Sequence, residues 1–282
     1  MGLEQQISSL VQASENLTGA VNNKIGEIDK KVNAATSSVP DKIKEQMTNK
    51  IYVDSVSGND INSGKSLNEP KRNIYAAINS VPMGSSLIII LLGQQVYELN
   101  SDINCAGKLI TIDSYGAVWG DPSTRSTIRS KQITTWGEYK SGQFITGFGS
   151  EIHLHQVNIE TVLFEKVKPD YEDYRNSMFS GASSSSQVWF YGCKITLNNG
   201  PLTHQHPNGS FGKLDVYLNS VGILINQNPT ITGGKAVVMG HWGADAVPFT
   251  LYVASTGLPT GKTWRDMVTA NISSANSNVS FS

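Results

Sequence analysis

The sequence has few charged residues, few cysteines and no long apolar run. Of its 282 residues, 16% are charged, below the roughly 25% of ordinary soluble proteins. Lysine and arginine number 22 against 23 acidic residues, so binding to nucleic acid through its phosphates is not expected. The longest apolar run, residues 87–92, is far shorter than the roughly 20 residues of a membrane helix, which argues against membrane insertion. Cys105 and Cys193 do not make a disulfide framework and are expected to pack as small apolar side chains.

The first 38 residues carry an amphipathic pattern that the rest of the chain lacks. Apolar residues recur in steps of three and four at Leu3, Ile7, Leu10, Leu17, Val21, Ile25, Ile28, Val32 and Ala35. This spacing predicts a coiled-coil seam, which needs partner helices to cover it. The seam residues leave the number of chains open, and a single helix docked on its own domain is the alternative. Ser37-Ser38-Val39-Pro40 is expected to end the helix, because proline removes a backbone donor.

Beyond residue 85, one apolar pattern recurs among short segments separated by Gly, Ser and Asn. Apolar or small residues occupy relative positions 0, 2, 5 and 7 in copies that start at Ile110, Ile152, Val188 and Val216. In the first copy the last two positions are Tyr115 and Ala117, and a weaker copy contains Ile89, Leu91 and Val96. Two alternating runs offset by one residue indicate a strand, a sharp bend and a second strand around one interior, as in a parallel β-solenoid. A β-sandwich is the alternative.

Between these segments lie a strand, a turn and a short helix. The residues concerned are Ile51-Tyr52-Val53-Asp54, Gly58-Asn59-Asp60, Gly64, Pro70, Ile74 and Ala76-Ala77-Ile78. They resemble the opening of right-handed parallel β-helices in bacteriophage tail-fibre and tailspike proteins, although Asn73 and Tyr75 depart from the usual pattern. The resemblance implies a mainly β fold: an N-terminal coiled coil, then a helix-capped right-handed parallel β-helix, in a homotrimer. The helix face would consist of Ile74, Ala77, Ile78 and Val81.

Four regions follow from these patterns. We expect a coiled-coil stem over residues 1–38, a linker and cap over residues 39–84, a parallel β-helix over residues 85–239 and a C-terminal end element over residues 240–282. A short helix is predicted within the last region, from Trp264 to Val268.

Alignment of the apolar copies also aligns residues that point outward. Trp189, Tyr191 and Tyr217, flanked by His155 and Asp113, are expected to form one exposed strip, since successive coils stack about 4.8 Å apart. Flat aromatic faces beside hydrogen-bonding groups suit a sugar ligand. The alternative is that this face packs against neighbouring subunits, because aromatic residues are enriched in interface cores.

Support for catalysis is weaker, and no catalytic residue is predicted. A glycosidase needs two carboxylates about 5 Å or about 6.5–9.5 Å apart, and no acidic pair has such a signature. If the chain is nevertheless a depolymerase, the candidates are Asp113, Glu160 and Asp215.

No cofactor is predicted, but two metal sites are alternatives. The sequence has two His-x-His pairs, His153/His155 and His204/His206, and residues two apart share one face of a strand. Three chains around an axis would offer six imidazoles to a structural ion, and His204 and His206 are favoured because Pro207 and Gly209 indicate a loop. Asp54, Asp60 and Asn62 carry hard oxygen ligands that suit calcium, although a turn explains the same residues.

The resemblance also implies a function. It implies a virion protein, made in the host cytoplasm, that attaches to phage tail or baseplate proteins through its coiled coil. The protein would adsorb to a bacterial surface polysaccharide or outer-membrane receptor by binding rather than by turnover. The alternatives are a polysaccharide depolymerase, either glycosidase or lyase, and a structural virion fibre or connector.

Overall fold

The computed structural model contains two compact units, Met1–Met47 and Thr48–Ser282. The first is a single helix and the second consists mainly of parallel strands. Within these units the structure describes residues 2–135, 138–165, 176–181, 185–205, 214–226, 235–241, 248–269 and 272–282.

Helix α1 spans Leu3–Met47, and its apolar seam from Leu3 to Val32 is exposed in a single chain. The predicted end of the helix at residues 37–40 is wrong, because α1 continues through Pro40. An internal proline costs a helix about 3 kcal/mol through one lost hydrogen bond and a steric clash. The helical turns on both sides of Pro40 are nevertheless retained. Helix α1 therefore lacks one backbone hydrogen bond at Pro40 but does not end there. No helix in the described part of the chain is long and apolar enough to cross a bilayer.

The second unit contains three parallel sheets. Sheet A has eight strands, in the spatial order β1 (Thr48–Val53), β2 (Ser86–Leu91), β5 (Leu109–Ser114), β10 (Glu151–His155), β13 (Ser186–Tyr191), β16 (Leu214–Asn219), β19 (Phe249–Ala254) and β20 (Ala275–Ser277). Sheet B has the order β3 (Val96–Leu99), β6 (Thr127–Ser130), β11 (Asn158–Glu160), β14 (Lys194–Leu197) and β17 (Gly222–Ile225). Sheet C has the order β4 (Ile103–Asn104), β9 (Phe144–Thr146), β12 (Phe179–Gly181), β15 (Thr203–Gln205) and β18 (Met239–His241). A separate antiparallel pair consists of β7 (Gln132–Thr135) and β8 (Glu138–Ser141).

From β2 to β18 the chain visits sheets A, B and C in turn, apart from the β7–β8 pair. The predicted mainly β class is therefore confirmed, with one N-terminal helix and parallel sheets. A β-sandwich does not fit, because β7–β8 is the one antiparallel pair among the described strands. The starting residues of the apolar copies occupy one register position in sheet A, and Leu251 follows Val216 at that position. Leu251 therefore begins a further copy that continues through Val253 and Thr256 to Leu258.

The one-residue offset in the apolar pattern comes from a left-handed residue directly after four strands of sheet A. Gln156, Gly192, Ser220 and Ser255 have φ angles of 48°, 61°, 55° and 49°. This conformation costs a residue with a side chain roughly 1–2 kcal/mol. Hydrogen bonds to the next strand help to hold it, since Gln156 N donates to Tyr191 O and Ser220 N donates to Ala254 O, both at 2.9 Å.

Stacked aromatic side chains fill part of the space between the sheets. The rings of Phe144 and Phe179 stack with centroids 5.1 Å apart, and the Phe190 ring meets Phe179 edge-on at 5.5 Å. All three side chains are buried and belong to one apolar cluster with the inward residues of the sheets. This cluster is the main source of the free energy that holds the sheets together.

Helix α2 (Ile74–Asn79) covers the cluster near the first strands of the sheets. Its N-terminus is capped by the Asn73 side chain, which accepts a hydrogen bond from Ala76 N at 2.7 Å. Ile74, Ala77, Ile78 and Val81 are buried as predicted. Near the other end of α2, the buried Lys108 ammonium donates to Ile78 O at 2.9 Å.

Two details of the predicted interior are wrong. Tyr115 is exposed and Ala117 is only half-buried, because residues 115–126 form a loop between β5 and β6. Ile128 occupies the interior position instead, opposite Tyr97. Val96 is likewise exposed, while Tyr97 is buried and donates its hydroxyl to Val53 O and Leu92 O at 2.8 and 2.7 Å.

The C-terminal region begins with strands that extend the sheets, since β18 joins sheet C and β19 joins sheet A. Helix α3 (Trp264–Met267) confirms the short helix predicted there. It starts with a capping box in which the Asp266 carboxylate accepts from Thr263 N at 2.8 Å.

Candidate functional site

The outward side chains of sheet A form three columns across neighbouring strands. The ring column comprises Thr111, His153, Trp189, Tyr217 and Tyr252. The rim column comprises Asp113, His155, Tyr191 and Asn219. The polar column comprises Glu151, Gln187, Asp215 and Thr250. The five residues that the sequence predicts for ligand binding thus lie in two adjacent columns of sheet A.

The rings of the ring column stack on one another. The Trp189 and Tyr217 centroids lie 3.7 Å apart with planes 6° apart, and His153 stacks on the other side of Trp189 at 5.6 Å. Both faces of Trp189 are therefore covered, so Trp189 presents its edge outward and not the flat face predicted for a sugar. Beyond Tyr217, the Tyr252 ring is tilted by 42° at 6.4 Å and is 50% exposed. No further ring stacks on Tyr252 among the described residues, so the ring column has its open face there.

A groove of about 320 Å³ runs between the ring column and the rim column. One wall consists of Trp189, Tyr217 and Tyr252, and the other includes Tyr191, which is 44% exposed. The strand segments at Phe190 and Leu218 form the floor, because their side chains point into the buried cluster. His153, His155 and Asn219 complete the lining. The groove is therefore aromatic, with a few hydrogen-bonding groups at its rim.

The groove carries no carboxylate, ammonium or guanidinium group among its lining residues. Burial lowers the pKa of His155, and the neighbouring His153 lowers it further, while the nearby Asp113 opposes both effects. Burial also raises the pKa of Tyr217, so its hydroxyl stays protonated at neutral pH. His153 contacts Glu151 of the polar column, with Nε2 and Oε1 2.6 Å apart. An aromatic groove whose lining has no carboxylate, ammonium or guanidinium group fits a neutral ligand with both apolar faces and hydroxyl groups.

Asp113 lies at the end of the rim column, on β5. Burial raises the pKa of its carboxyl group against the effect of the Ser114 N–H and of His155. One of its oxygens, Oδ1, is buried without a hydrogen-bond partner. Asp113 does not line the groove itself, so the structure places it as a neighbour of His155 and not as a direct wall residue.

The three candidate catalytic carboxylates do not share one cleft. Glu160 lies in sheet B and pairs with Arg129 at 2.5 Å. Asp215 is buried, and its Oδ1 accepts from Thr250 N at 3.0 Å. Asp113 and Asp215 are three strand spacings apart, about 14 Å, and four residues apart along the strands, about 13 Å, so their Cα atoms are about 20 Å apart. This exceeds the separation at which two carboxylates act together on a glycosidic bond.

The histidine metal site receives no support from the structure. His204 is fully buried within its own chain, so its imidazole does not face a surface that three chains could share. His206 lies outside the described residues. No group of three or more His, Cys, Asp or Glu side chains suited to a metal occurs among the described residues.

The carboxylates of the calcium alternative accept hydrogen bonds within the turn itself. The Asp54 carboxylate accepts from nearby backbone N–H groups, and the Asp60 carboxylate accepts from Arg72 N at 2.9 Å. The buried Lys71 ammonium donates to the carbonyl oxygens of Asp60 and Asn62 at 3.1 and 2.7 Å. A lysine thus supplies the positive charge that an ion would bring.

Asp54 makes the stability of this turn pH-dependent. Burial alone would raise the pKa of Asp54, but hydrogen bonds from Ser57, Gln95 and Val56 outweigh it and lower the pKa from 3.8 to about 2. The carboxylate therefore stabilises the fold above pH 3.8, and this contribution is lost as the pH falls towards 2. Asp54→Asn is expected to lower the free energy of unfolding at pH 7 by about 1–2 kcal/mol, allowing for solvent screening. Urea unfolding at pH 7 and pH 2 measures the loss and its disappearance.

Ser57→Ala serves as the companion variant, because it removes a side-chain donor from the same carboxylate and leaves the charge. It should show part of the loss seen for Asp54→Asn. Equal stability of Asp54→Asn and the unmodified protein at pH 7 would contradict the assigned role of Asp54.

Both cysteines are buried and free, as predicted. Burial raises the pKa of Cys193 to about 11 and that of Cys105 to about 12. Neither thiol therefore offers a thiolate at neutral pH.

Tyr252 is the groove residue that the sequence pattern missed. Extending the apolar spacing by one more copy, from Leu251 to Leu258, would have placed it in the ring column. Comparison with protein-family models, with curated proteins and with solved structures finds no match to this chain. Conclusions about function therefore depend on the groove and on the resemblance carried by residues 51–78.

Proposed function

We propose that this chain is a carbohydrate-binding fibre protein of a bacteriophage tail. The observation that carries the proposal is the aromatic groove on sheet A, which has ring edges on one wall and exposed tyrosines at Tyr191 and Tyr252. Sugars combine apolar C–H faces with hydroxyl groups, and this groove offers aromatic surface beside amide, imidazole and phenol groups. The ligand would be a neutral saccharide of a bacterial surface.

The fibre architecture proposed here is a right-handed parallel β-helix capped by α2 and joined to a coiled-coil stem. The regular passage of the chain through sheets A, B and C supports the β-helix. The exposed seam of α1 supports the coiled coil, because a lone helix would leave Leu3, Leu10 and Leu17 in water. The resemblance to tail fibres favours a homotrimer attached to the virion through this stem.

Binding without turnover agrees with the placement of the acidic residues. Asp113, Glu160 and Asp215 do not form a catalytic pair, and the groove lining contains no carboxylate. Three equivalent grooves on one stem would act together at high effective concentration, so modest affinity in each groove suffices for tight attachment to a cell surface.

Tyr252→Ala tests the proposed function. Loss of the open ring face is expected to weaken binding to neutral bacterial polysaccharide about tenfold, the equivalent of one aromatic contact. The matched control is Tyr75→Ala, because Tyr75 is 46% exposed but lies on α2, away from the groove. Isothermal titration against neutral fragments selected on a glycan array gives the affinities.

Two outcomes would contradict the proposal. The first is equal affinity of Tyr252→Ala and Tyr75→Ala. The second is the absence of glycan binding together with a change of oligomeric mass in Tyr252→Ala, which would make this face a contact between subunits. Light scattering on the full chain provides the mass.

A further inference from the structure

One connection between sheets A and B is much longer than its neighbours. After β10, β13 and β16 the chain reaches sheet B through two residues each. After β5 the connection comprises residues 115–126, which include a short 3₁₀ helix at Pro122–Thr124. The neighbouring connections show that the fold does not need this length, and an insertion on a regular scaffold commonly serves a binding function.

Hydrogen bonds hold this long loop in one conformation. Within the loop, Val118 N donates to Thr124 Oγ1 at 2.9 Å and Asp121 N donates to Val118 O at 3.1 Å. The Asn158 side-chain amide of sheet B donates to Pro122 O at 2.9 Å. The side chains that the loop presents are therefore positioned in advance, as a binding site requires.

Trp119 is the side chain that this loop places beside the groove. Its ring lies 5.1 Å from the ring of Tyr191 at an angle of 45°, and it remains 53% exposed. The ring packs over Gly192, where a Cβ atom would lie 2.7 Å from it. The equivalent bends carry Gln156, Ser220 and Ser255, so glycine occurs in this series at the bend that receives the indole.

We propose that the loop over residues 115–126 adds a second sugar subsite to the groove. Trp119 and Tyr191, whose ring centroids lie 5.1 Å apart, are in contact and form one continuous aromatic surface for it, and His155 supplies an imidazole, since the His155 and Tyr191 rings lie 5.8 Å apart. The occupant is one ring of a neutral oligosaccharide that packs on this surface, because Trp119 and Tyr191 are uncharged aromatic side chains. This inference rests on the proposed carbohydrate function and assigns to it a minimum ligand length.

The length follows from the register of sheet A. Tyr191 and Tyr252 are two strands and one column apart, which separates their Cα atoms by about 12 Å. One sugar ring does not reach both tyrosines. A ligand that occupies both ends of the groove must therefore be an oligosaccharide, and a disaccharide reaches only one end.

The experiment compares Trp119→Ala and Tyr252→Ala with the unmodified full chain. The probes are the disaccharide and hexasaccharide fragments of the neutral polysaccharide selected on the glycan array. We expect each variant to weaken hexasaccharide binding about tenfold. At most one variant weakens disaccharide binding. Trp119→Phe, which keeps an aromatic face, should recover most of the hexasaccharide affinity.

Val118→Ala is the matched control, because Val118 is an exposed neighbour in the same loop. It should bind both fragments normally. If Trp119→Ala leaves the hexasaccharide affinity unchanged, the second subsite alone is overturned. The same holds if both variants lose the same amount of disaccharide affinity. A full chain that binds neither fragment would overturn the proposed function and the subsite together. Melting temperatures of the variants separate loss of binding from loss of folding.

Discussion

Phe179→Ala is expected to lower the free energy of unfolding by about 3–5 kcal/mol. Phe179 lies on β12 in sheet C, where its ring stacks on Phe144 and receives the edge of Phe190 from sheet A. Its removal leaves a cavity between two sheets, and the strands on either side are fixed by their hydrogen bonds to the next strands. The site therefore has little freedom to collapse around the smaller side chain. Urea unfolding of the full chain measures the loss.

Phe148→Ala is the matched control, because the same change is made at a ring that is 64% exposed. A substitution outside the buried cluster usually changes stability by no more than about 0.5 kcal/mol. Similar losses in the two variants would mean that Phe179 does not join the sheets in one interior. A cavity between the sheets should also make Phe179→Ala more sensitive to thermal unfolding than Phe148→Ala.

The parallel sheets could be predicted because the apolar pattern reflects both the alternation of side chains along each strand and the one-residue bend between two strands. Alternation within Ile152–Leu154 and within Val157–Ile159 gives the two strands, and the extra residue between them is the left-handed Gln156. Each strand of sheet A presents its apolar residues to the same cluster, so the pattern repeats at every visit to that sheet. Side-chain alternation has a fixed period, which makes such a register readable from sequence.

Other features depend on contacts that the local pattern does not contain. The sequence between β5 and β6 continues the apolar spacing through Tyr115 and Ala117, yet the chain leaves the sheets there and returns at Ile128. Ile128 then lies opposite Tyr97 on the next strand of sheet B, a pairing that the local spacing around Tyr115 does not contain. Similarly, Pro40 predicts the end of a helix from local geometry, whereas α1 retains its turns on both sides.

The site could be predicted in its composition but not in its geometry. The register that stacks His153, Trp189 and Tyr217 follows from the spacing of the strands. The orientation of the rings does not, because the register fixes the spacing of the Cα atoms at about 4.8 Å but not the χ angles that bring the Trp189 and Tyr217 rings face to face at 3.7 Å. Trp119 comes from a loop outside the pattern, and nothing in the spacing predicts its contact with Tyr191.

Gly192→Ala is expected to lower the free energy of unfolding by about 2–3 kcal/mol. Part of the loss comes from the left-handed backbone at φ 61°, which costs alanine roughly 1–2 kcal/mol. The remainder comes from the new Cβ atom, which would lie 2.7 Å from the ring of Trp119 and push it away. Ser220→Ala is the matched control, because Ser220 occupies the equivalent bend with a side chain already present and should change stability by no more than about 0.5 kcal/mol.

A double-mutant cycle separates the two contributions to the Gly192→Ala loss. In a Trp119→Ala background the indole is absent, so Gly192→Ala should cost only the backbone share of roughly 1–2 kcal/mol. Urea unfolding gives the cost of Gly192→Ala in each background. The difference between the two costs is the free energy of the steric conflict with Trp119. An equal cost in both backgrounds would place the Trp119 ring away from Gly192. The loop would then lack the contact that fixes its indole beside Tyr191, and the second subsite would lose its geometric basis.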